Sequence, residues 1–264
     1  MNDYEDILYE ERNGAATITF NRPDRLNAFR TQTYLDVLDA MQRAAWNSDV
    51  GVIVLTGAGD KAFAVGGDAA EKKSERTARG VIGVPLEELH SAIRDAPKPV
   101  IAKVRGFAIG GGNVIATICD MTIAAKSAMF GQVGPKVGSV DPGWGTAYLA
   151  RIIGEKRARE FWYMCRRYTA EEALQMGLVN KVVADDELDA EVDRWCEEIM
   201  ERSPMALAIA KRSFNADTEN IRGIGAMGFQ AVALYYGTDE AKEYSAAFRE
   251  KRKPQNRRRS SSTK

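Results

Sequence analysis

The chain has 264 residues, and 37 lysines and arginines balance 37 aspartates and glutamates. That length suits one large domain, or a domain with a small helical appendage; the even charge argues against an electrostatic nucleic-acid binder, and no apolar run approaches a membrane span. Three scattered cysteines and a single histidine, His90, exclude a disulfide framework, a CxxC metal site and a multi-histidine metal centre.

The acidic start, Met1-Asn-Asp-Tyr-Glu-Asp, lacks the features of a signal peptide, so the expected compartment is the cytoplasm. Ile7 to Arg12 and Ala16 to Phe20 flank Asn13-Gly14, which predicts a β-hairpin. Asn21-Arg-Pro-Asp breaks the second strand. Tyr34, Val37, Leu38, Met41, Ala44 and Ala45 recur at helical spacing and predict a helix to about Trp46. Gly51 to Thr56 reads as a buried strand. Ala62-Phe-Ala-Val is a second strand-like run that ends on Gly66-Gly67. Ala70 to Gly80 is charged and reads as a solvated loop or exposed helix, with an active-site lid as the second reading. Pro85 to Arg94 predicts a helix carrying His90, and Val100 to Val104 a short buried strand.

After Gly110-Gly-Gly, residues Val114, Ile115, Ala116 and Ile118 show no polar face, the pattern of a helix buried on nearly all sides. Met121 to Ala125 is another strand. Phe130 to Gly145 is a long glycine-rich segment holding Ser139 and Asp141, and helices are predicted over Thr146 to Ile153 and Glu155 to Cys165. Thr169 and Glu172 form a capping box, Gly177 stops that helix, and Asn180 to Val183 is a short strand. From Glu187 the chain reads as helical, with Ser203-Pro204 opening a fresh helix. The expected division is a core over residues 1-190, a helical region over 191-254 and a basic tail over 255-264 that is expected to be disordered.

The two glycine turns concentrate the chemistry. Glycines at a strand end let the backbone approach a ligand closely. The first N–H groups of a helix have no partner inside it, and its dipole favours negative charge beside them. Gly-Gly-Gly alone is more simply a tight turn. The second turn, Gly66-Gly67, changes that balance, because two turns can each offer one N–H to the same oxygen as it becomes anionic.

Taken in order, Asn21-Arg-Pro, Asn27-Ala-Phe, Ala62-Phe-Ala-Val-Gly-Gly-Asp, Pro99-Val-Ile-Ala, Gly106-Phe-Ala-Ile-Gly-Gly-Gly-Asn, Asp120, Phe130-Gly-Gln, Gly177-Leu-Val-Asn and Phe248-Arg-Glu-Lys-Arg-Lys-Pro resemble the landmarks of the crotonase (enoyl-CoA hydratase/isomerase) superfamily. The resemblance implies an α/β fold, a spiral of ββα turns with a C-terminal helical trimerisation region, and a homotrimer or a hexamer built as a dimer of trimers. It implies an acyl-CoA thioester whose carbonyl oxygen lies between the N–H groups of Gly67 and Gly111 and passes through an enolate. Contacts to the CoA substrate are implied for Arg25, Val65, Asp68, Phe107, Gly110, Gln132 and Val133, with Lys251 reaching in from the C-terminal region of the same or a neighbouring subunit. Coenzyme A enters as part of the substrate; no other cofactor, metal, nucleic acid or membrane partner is implied.

Hydratases of that family carry glutamates where this chain has Val114 and Gly134, so simple hydration of an enoyl-CoA is not expected. Gly131-Gln-Val-Gly-Pro-Lys-Val-Gly-Ser-Val-Asp, Tyr148-Leu-Ala-Arg and Tyr235-Tyr236 instead resemble the branch of naphthoate synthases and 2-ketocyclohexanecarboxyl-CoA hydrolases. Within it, Ser139-Val-Asp-Pro-Gly, Glu87-Glu-Leu-His-Ser-Ala-Ile-Arg-Asp and Trp162-Tyr-Met-Cys look more like the hydrolases. Val65 and Ala69 depart from the usual small hydroxyl residue and glutamine. The expected reaction is a retro-Claisen ring opening, with Asp141 as base for water, Ser139 orienting it or binding the ketone, and Tyr236 polarising the ketone or delivering a proton. The alternatives are a Dieckmann-type cyclase or a less specific member of the family. Each residue also has a plainer reading. Asp141 in Asp-Pro-Gly suits a cap on a helix beginning near Trp144, Tyr236 suits core packing, and His90 suits a satisfied pocket-wall or core position.

Overall fold

Asn13 and Gly14 both take positive φ, 50° and 75°. A two-residue hairpin turn requires that geometry, and it joins β1 (Ile7–Arg12) to β2 (Ala15–Phe20) in antiparallel register. The structure is a computed structural model that describes residues 4–71 and 79–255. Most of the charged stretch after Ala70 and nearly all of the basic tail fall outside those residues, and the expectations made for them lie there too.

A strand–strand–helix unit then repeats. β3 (Val52–Gly57) is followed by β4 (Ala62–Ala64) and α2 (Leu86–Asp95), after the earlier helix α1 (Thr31–Trp46). β5 (Val100–Val104) is followed by β6 (Phe107–Ile109) and α3 (Gly111–Ile118), and β7 (Met121–Ala125) by β8 (Met129–Gly131) and α4 (Gly134–Val137). The first strand of each unit joins one sheet, in the order β1-β2-β3-β5-β7-β10, where β10 is Lys181–Val183. The second strand joins another, β4-β6-β8-β9, where β9 is Arg167–Thr169. From β2 to β10 the first sheet is parallel, and β4, β6 and β8 are parallel to each other. This is the expected α/β spiral of ββα turns.

The parallel strands are apolar because both of their faces are covered. In β3, Ile53 and Leu55 enter the main core with Phe20, Phe63 and Phe130, while Val52 and Val54 pack with Ile101, Ile123, Leu188 and Val192 in a second cluster. Leu188 and Val192 belong to α8 (Leu188–Met200), which covers that outer face. The capping box is formed as expected: Thr169 Oγ1 accepts from the Glu172 amide, Glu172 reaches back to the Thr169 amide, and Gly177 closes α7 (Ala170–Met176) at φ 81°. Asn27 is a structural landmark. Its Oδ1 accepts from the Arg22 amide and its Nδ2 donates to Ala58 and Ala62 carbonyls, which ties the Asn-Arg-Pro break to β4.

After α5 (Leu149–Ile153) and α6 (Glu155–Met164), the C-terminal helices are α8, α9 (Pro204–Ala216), α10 (Glu219–Tyr235) and α11 (Asp239–Arg249). Ser203 caps α9 with Pro204 at its first position. Lys211 on α9 is buried and donates to the Ile93 and Lys98 carbonyls and to Asp120 Oδ2 at 2.6 Å; Asp120 also accepts from the Val100 amide. A buried charge of this kind is tolerated because every donor finds an acceptor. Among the described residues, no helix is long and apolar enough to cross a membrane.

Candidate active site

The spiral brings three loops to one edge, because β4, β6 and β8 are neighbouring parallel strands and all end there. Gly66-Gly67 follows β4, Gly110 to Gly112 follows β6, and Gln132 to Asp141 follows β8. The first two turns touch. A Cβ on Gly66, which has φ +85°, would lie 2.8 Å from the Gly111 nitrogen. A Cβ on Gly112 would lie 2.0 Å from the Ala64 carbonyl oxygen, so α3 starts directly against β4. Only glycine allows that approach.

Among the described residues, the Gly67 and Gly111 amides are two of those that the hydrogen bonding leaves without an acceptor. Phe29 pairs with the first turn by donating to Gly66 O and accepting from Asp68 N, so the bridge skips the Gly67 N–H. The Gly111 N–H is at the first position of α3, where no intrahelical acceptor exists. Neither amide has a protein acceptor among the described residues. Gly67 is exposed, with nothing within 4 Å of a Cβ placed on it.

The third loop carries the side chains. Asp141 is buried, and its Oδ1 accepts from the Gly145 amide at 2.8 Å and the Gly143 amide at 3.3 Å. It caps a π-helical turn, Trp144–Tyr148, that runs into α5. The cap reading of Asp141 is therefore observed, but it occupies one oxygen. The other, Oδ2, faces the Nε2 of His90, 4.0 Å away. A Cβ on Gly145 would lie 2.8 Å from Asp141 Cβ and 3.0 Å from a methyl of Val114, one helical turn beyond Gly111. That contact places the Asp141 loop beside the start of α3. Trp162 locks the same loop by donating to the Gly145 carbonyl.

Ser139 Oγ and the Tyr236 hydroxyl lie 2.8 Å apart, although the residues are 97 positions apart in sequence. Tyr236 is half-buried at the C-cap of α10, outside the core clusters, and its ring sits 6.4 Å from that of Tyr235. Ser139 thus partners Tyr236, and backbone amides orient Asp141.

His90 differs from its expected satisfied state. It is 1% exposed on α2, yet neither ring nitrogen has a hydrogen-bond partner among the described residues. Burial holds its pKa below the usual value of 6.5, against the pull of Asp141. Glu87, one turn earlier on α2, has its carboxyl pushed above the usual range by burial and then by the Asp141 charge. Sequence reasoning missed this pair; the signal was Glu87 and His90 three apart on one helix face.

The remaining expected contacts lie around the turns to varying degrees. Gly110 is the N-cap of α3 with φ +59°, and its amide donates to Gly131 O. A Cβ placed there would touch Val133 at 3.5 Å and Val65 O at 3.7 Å. Gln132 is buried with its Nε2 unpartnered. Phe107 is half-buried on β6, with the Arg167 guanidinium 4.9 Å above its ring. The Asp68 carboxylate is already held by Arg22 at 2.9 Å and by the Ala70 amide. Arg25 is exposed on a 3₁₀ turn, Pro23–Arg25, and Lys251 is exposed beyond α11. Among the described residues, no cluster of three histidine, cysteine or acidic side chains is suited to a metal ion.

The Enoyl-CoA hydratase/isomerase family profile matches residues 10–259. An enoyl-CoA hydratase from Mycobacterium avium subsp. paratuberculosis K-10 is 30% identical, with a TM-score of 0.84 over 96% of this chain and 99% of that one. An enoyl-CoA hydratase/isomerase from Pseudoalteromonas atlantica T6c is 28% identical, with a TM-score of 0.85 over 96% and 100% of the two chains. A methylmalonyl-CoA decarboxylase, solved with 2-nitronate-propionyl-CoA, is 26% identical, with a TM-score of 0.81 over 96% and 98%.

Proposed function

The chain belongs to the enoyl-CoA hydratase/isomerase family, whose members act on CoA thioesters, and from that we propose that it hydrolyses the ring of a 2-oxocycloalkane-carboxyl-CoA. The observation that carries the reading is the setting of Asp141: buried, held through one oxygen by backbone amides, with the other facing His90, in a loop whose Gly145 packs against Val114 near the start of α3. The two acids of a hydratase have no counterpart. Val114 is a buried apolar residue. A Cβ on Gly134 would lie 2.4 Å from the Ser139 carbonyl oxygen and 2.8 Å from the Trp162 ring, so no side chain fits that position.

In this reading the thioester oxygen lies between the Gly67 and Gly111 amides. Asp141 takes a proton from water, whose oxygen bonds to the ring ketone carbon. The bond from that carbon to the alpha carbon breaks, and its electron pair enters the thioester as an enolate held by the two amides. Tyr236, paired with Ser139, polarises the ketone or delivers the proton that the alpha carbon gains; the proton that Asp141 took from water goes to the alpha carbon or restores the tyrosine, so both groups end as they began. One water is consumed and a ring becomes an open-chain carboxylic acid. The surrounding contacts at Arg25, Val65, Asp68, Phe107, Gly110, Gln132, Val133 and Lys251, and a homotrimer or dimer of trimers formed by the C-terminal helices, belong to the same proposal. Ile209, Phe214, Met227 and Leu234 on α9 and α10 are exposed apolar side chains that favour such an assembly.

The test is mass spectrometry of the purified protein with 2-ketocyclohexanecarboxyl-CoA. The expected product is pimeloyl-CoA, heavier by one water. No conversion of that thioester, with cyclisation of an aryl-succinyl-CoA instead, would assign the chain to the synthases. Tyr236→Phe is expected to lower kcat about 10²- to 10³-fold while KM changes little, because it removes one polar contact of the transition state. Steady-state kinetics read this directly, and an unchanged kcat rules the hydroxyl out of the mechanism.

A further inference from the structure

His90 presents an unusual combination. A polar ring that is 1% exposed has no partner on either nitrogen among the described residues. A buried polar group left unpaired is costly, so such an atom needs an occupant or a use. Among the described residues, its Nε2 lies 4.0 Å from one charged atom, Asp141 Oδ2. That separation is too long for a direct hydrogen bond, and short enough to close by a small ring movement or through one bridging water.

Asp141 needs such a partner. Its Oδ1 is fixed by the Gly145 and Gly143 amides, which sets the carboxylate's position but, among the described residues, leaves Oδ2 without a donor within bonding distance. The nearby acid Glu87 repels that charge and supplies no donor when ionised. A neutral imidazole has one donor nitrogen and one acceptor nitrogen. Only the tautomer protonated on Nε2 offers a hydrogen to a carboxylate on that side.

We infer that His90 is a positioning residue for Asp141: a neutral imidazole, protonated on Nε2, that donates toward Oδ2 and aims the carboxylate at the attacking water. The inference rests on the hydrolytic reading for its role, and on geometry alone for the contact. Glutamine keeps an N–H donor at this position, whereas leucine fills the space without one. His90 therefore acts through Asp141 and does not itself exchange protons with the substrate.

The chain contains one histidine, so its imidazole gives a single set of ring ¹⁵N signals. Long-range ¹H–¹⁵N NMR of the wild-type protein at pH 7 is expected to show the Nε2–H tautomer, and Asp141→Asn is expected to shift the Nε2 resonance. The Nδ1–H tautomer, or ring shifts untouched by Asp141→Asn, would overturn the contact. Kinetics on 2-ketocyclohexanecarboxyl-CoA then test the role. His90→Leu is expected to lower kcat about 10- to 100-fold with KM within about twofold, the scale of a misplaced catalytic group, and His90→Gln is expected to restore most of it. Equal kcat in the leucine and glutamine variants overturns positioning. A wild-type protein inert toward that thioester sinks the hydrolytic reading and leaves the NMR result to decide the contact.

Discussion

Asp141→Asn is expected to lower turnover by about a thousandfold or more, within the range that a general base supplies. The substitution is chosen for what it preserves. Asparagine keeps a carbonyl oxygen where Oδ1 accepts from the Gly145 amide, so the cap on the π-helical turn survives. It removes the basic oxygen that faces His90. Far-ultraviolet circular dichroism, the thermal midpoint and CoA binding are therefore expected to stay near wild type while product formation in the mass assay disappears. Asp141→Ala adds the loss of the cap, worth about 1 kcal/mol, and is expected to lower the midpoint as well. If Asp141→Asn keeps more than about a tenth of the activity, below the smallest contribution usual for a positioned base, Asp141 is a cap and nothing more.

Gly66→Ala is expected to cost about 10²- to 10³-fold in kcat, the loss associated with one oxyanion donor. Alanine at φ +85° is strained by about 1–2 kcal/mol. Its methyl would also sit 2.8 Å from the Gly111 nitrogen, and one of the two has to move. The start of α3 has little room to yield, because Gly112 already lies against the Ala64 carbonyl. The amide of Gly111 is thus displaced by a residue that touches no substrate. Gly67→Ala is the control: nothing lies within 4 Å of its added methyl and its φ is not positive, so the fold is expected to persist. Wild-type kcat in Gly66→Ala would show that the close contact of the two turns does not matter to catalysis.

The elements with local signals were legible in the sequence. Asn13-Gly14 specified a hairpin because both residues tolerate positive φ, and Thr169 with Glu172 specified a helix start through reciprocal hydrogen bonds. β4 shows in the sequence as the apolar run from Ala62, but β4, β6 and β8 are three residues each, too short to carry a period. They are extended because they pair with one another, which is a tertiary fact. For the same reason the sequence does not separate β6 from the turn that follows it, and α4, with four residues in a glycine-rich segment, is too short to show a helical period.

At the site, residue types were legible and their pairing was not. The family motifs singled out Ser139, Asp141 and Tyr236, yet periodicity gives no hint that a serine in a loop lies 2.8 Å from a tyrosine 97 positions away. For Asp141, two readings competed in the sequence, and the structure divides them between the two oxygens of one carboxylate. His90 was expected to be satisfied because most buried polar groups are. Whether a particular ring finds a partner depends on its neighbours in space, and among the described residues this one finds none at bonding distance.

Two of the three loops at the strand edge contribute main-chain amides, and the third contributes side chains. A point mutation to any residue but proline leaves a main-chain N–H in place and can only move it. Where these amides hold the anion of the proposed function, that cradle depends on the glycines that bring the two turns together, while the segment after β8 supplies exchangeable side chains. One scaffold can in this way be retooled from one thioester reaction to another by rewriting a single loop, and laboratory evolution of this chain is best aimed at residues 132 to 141.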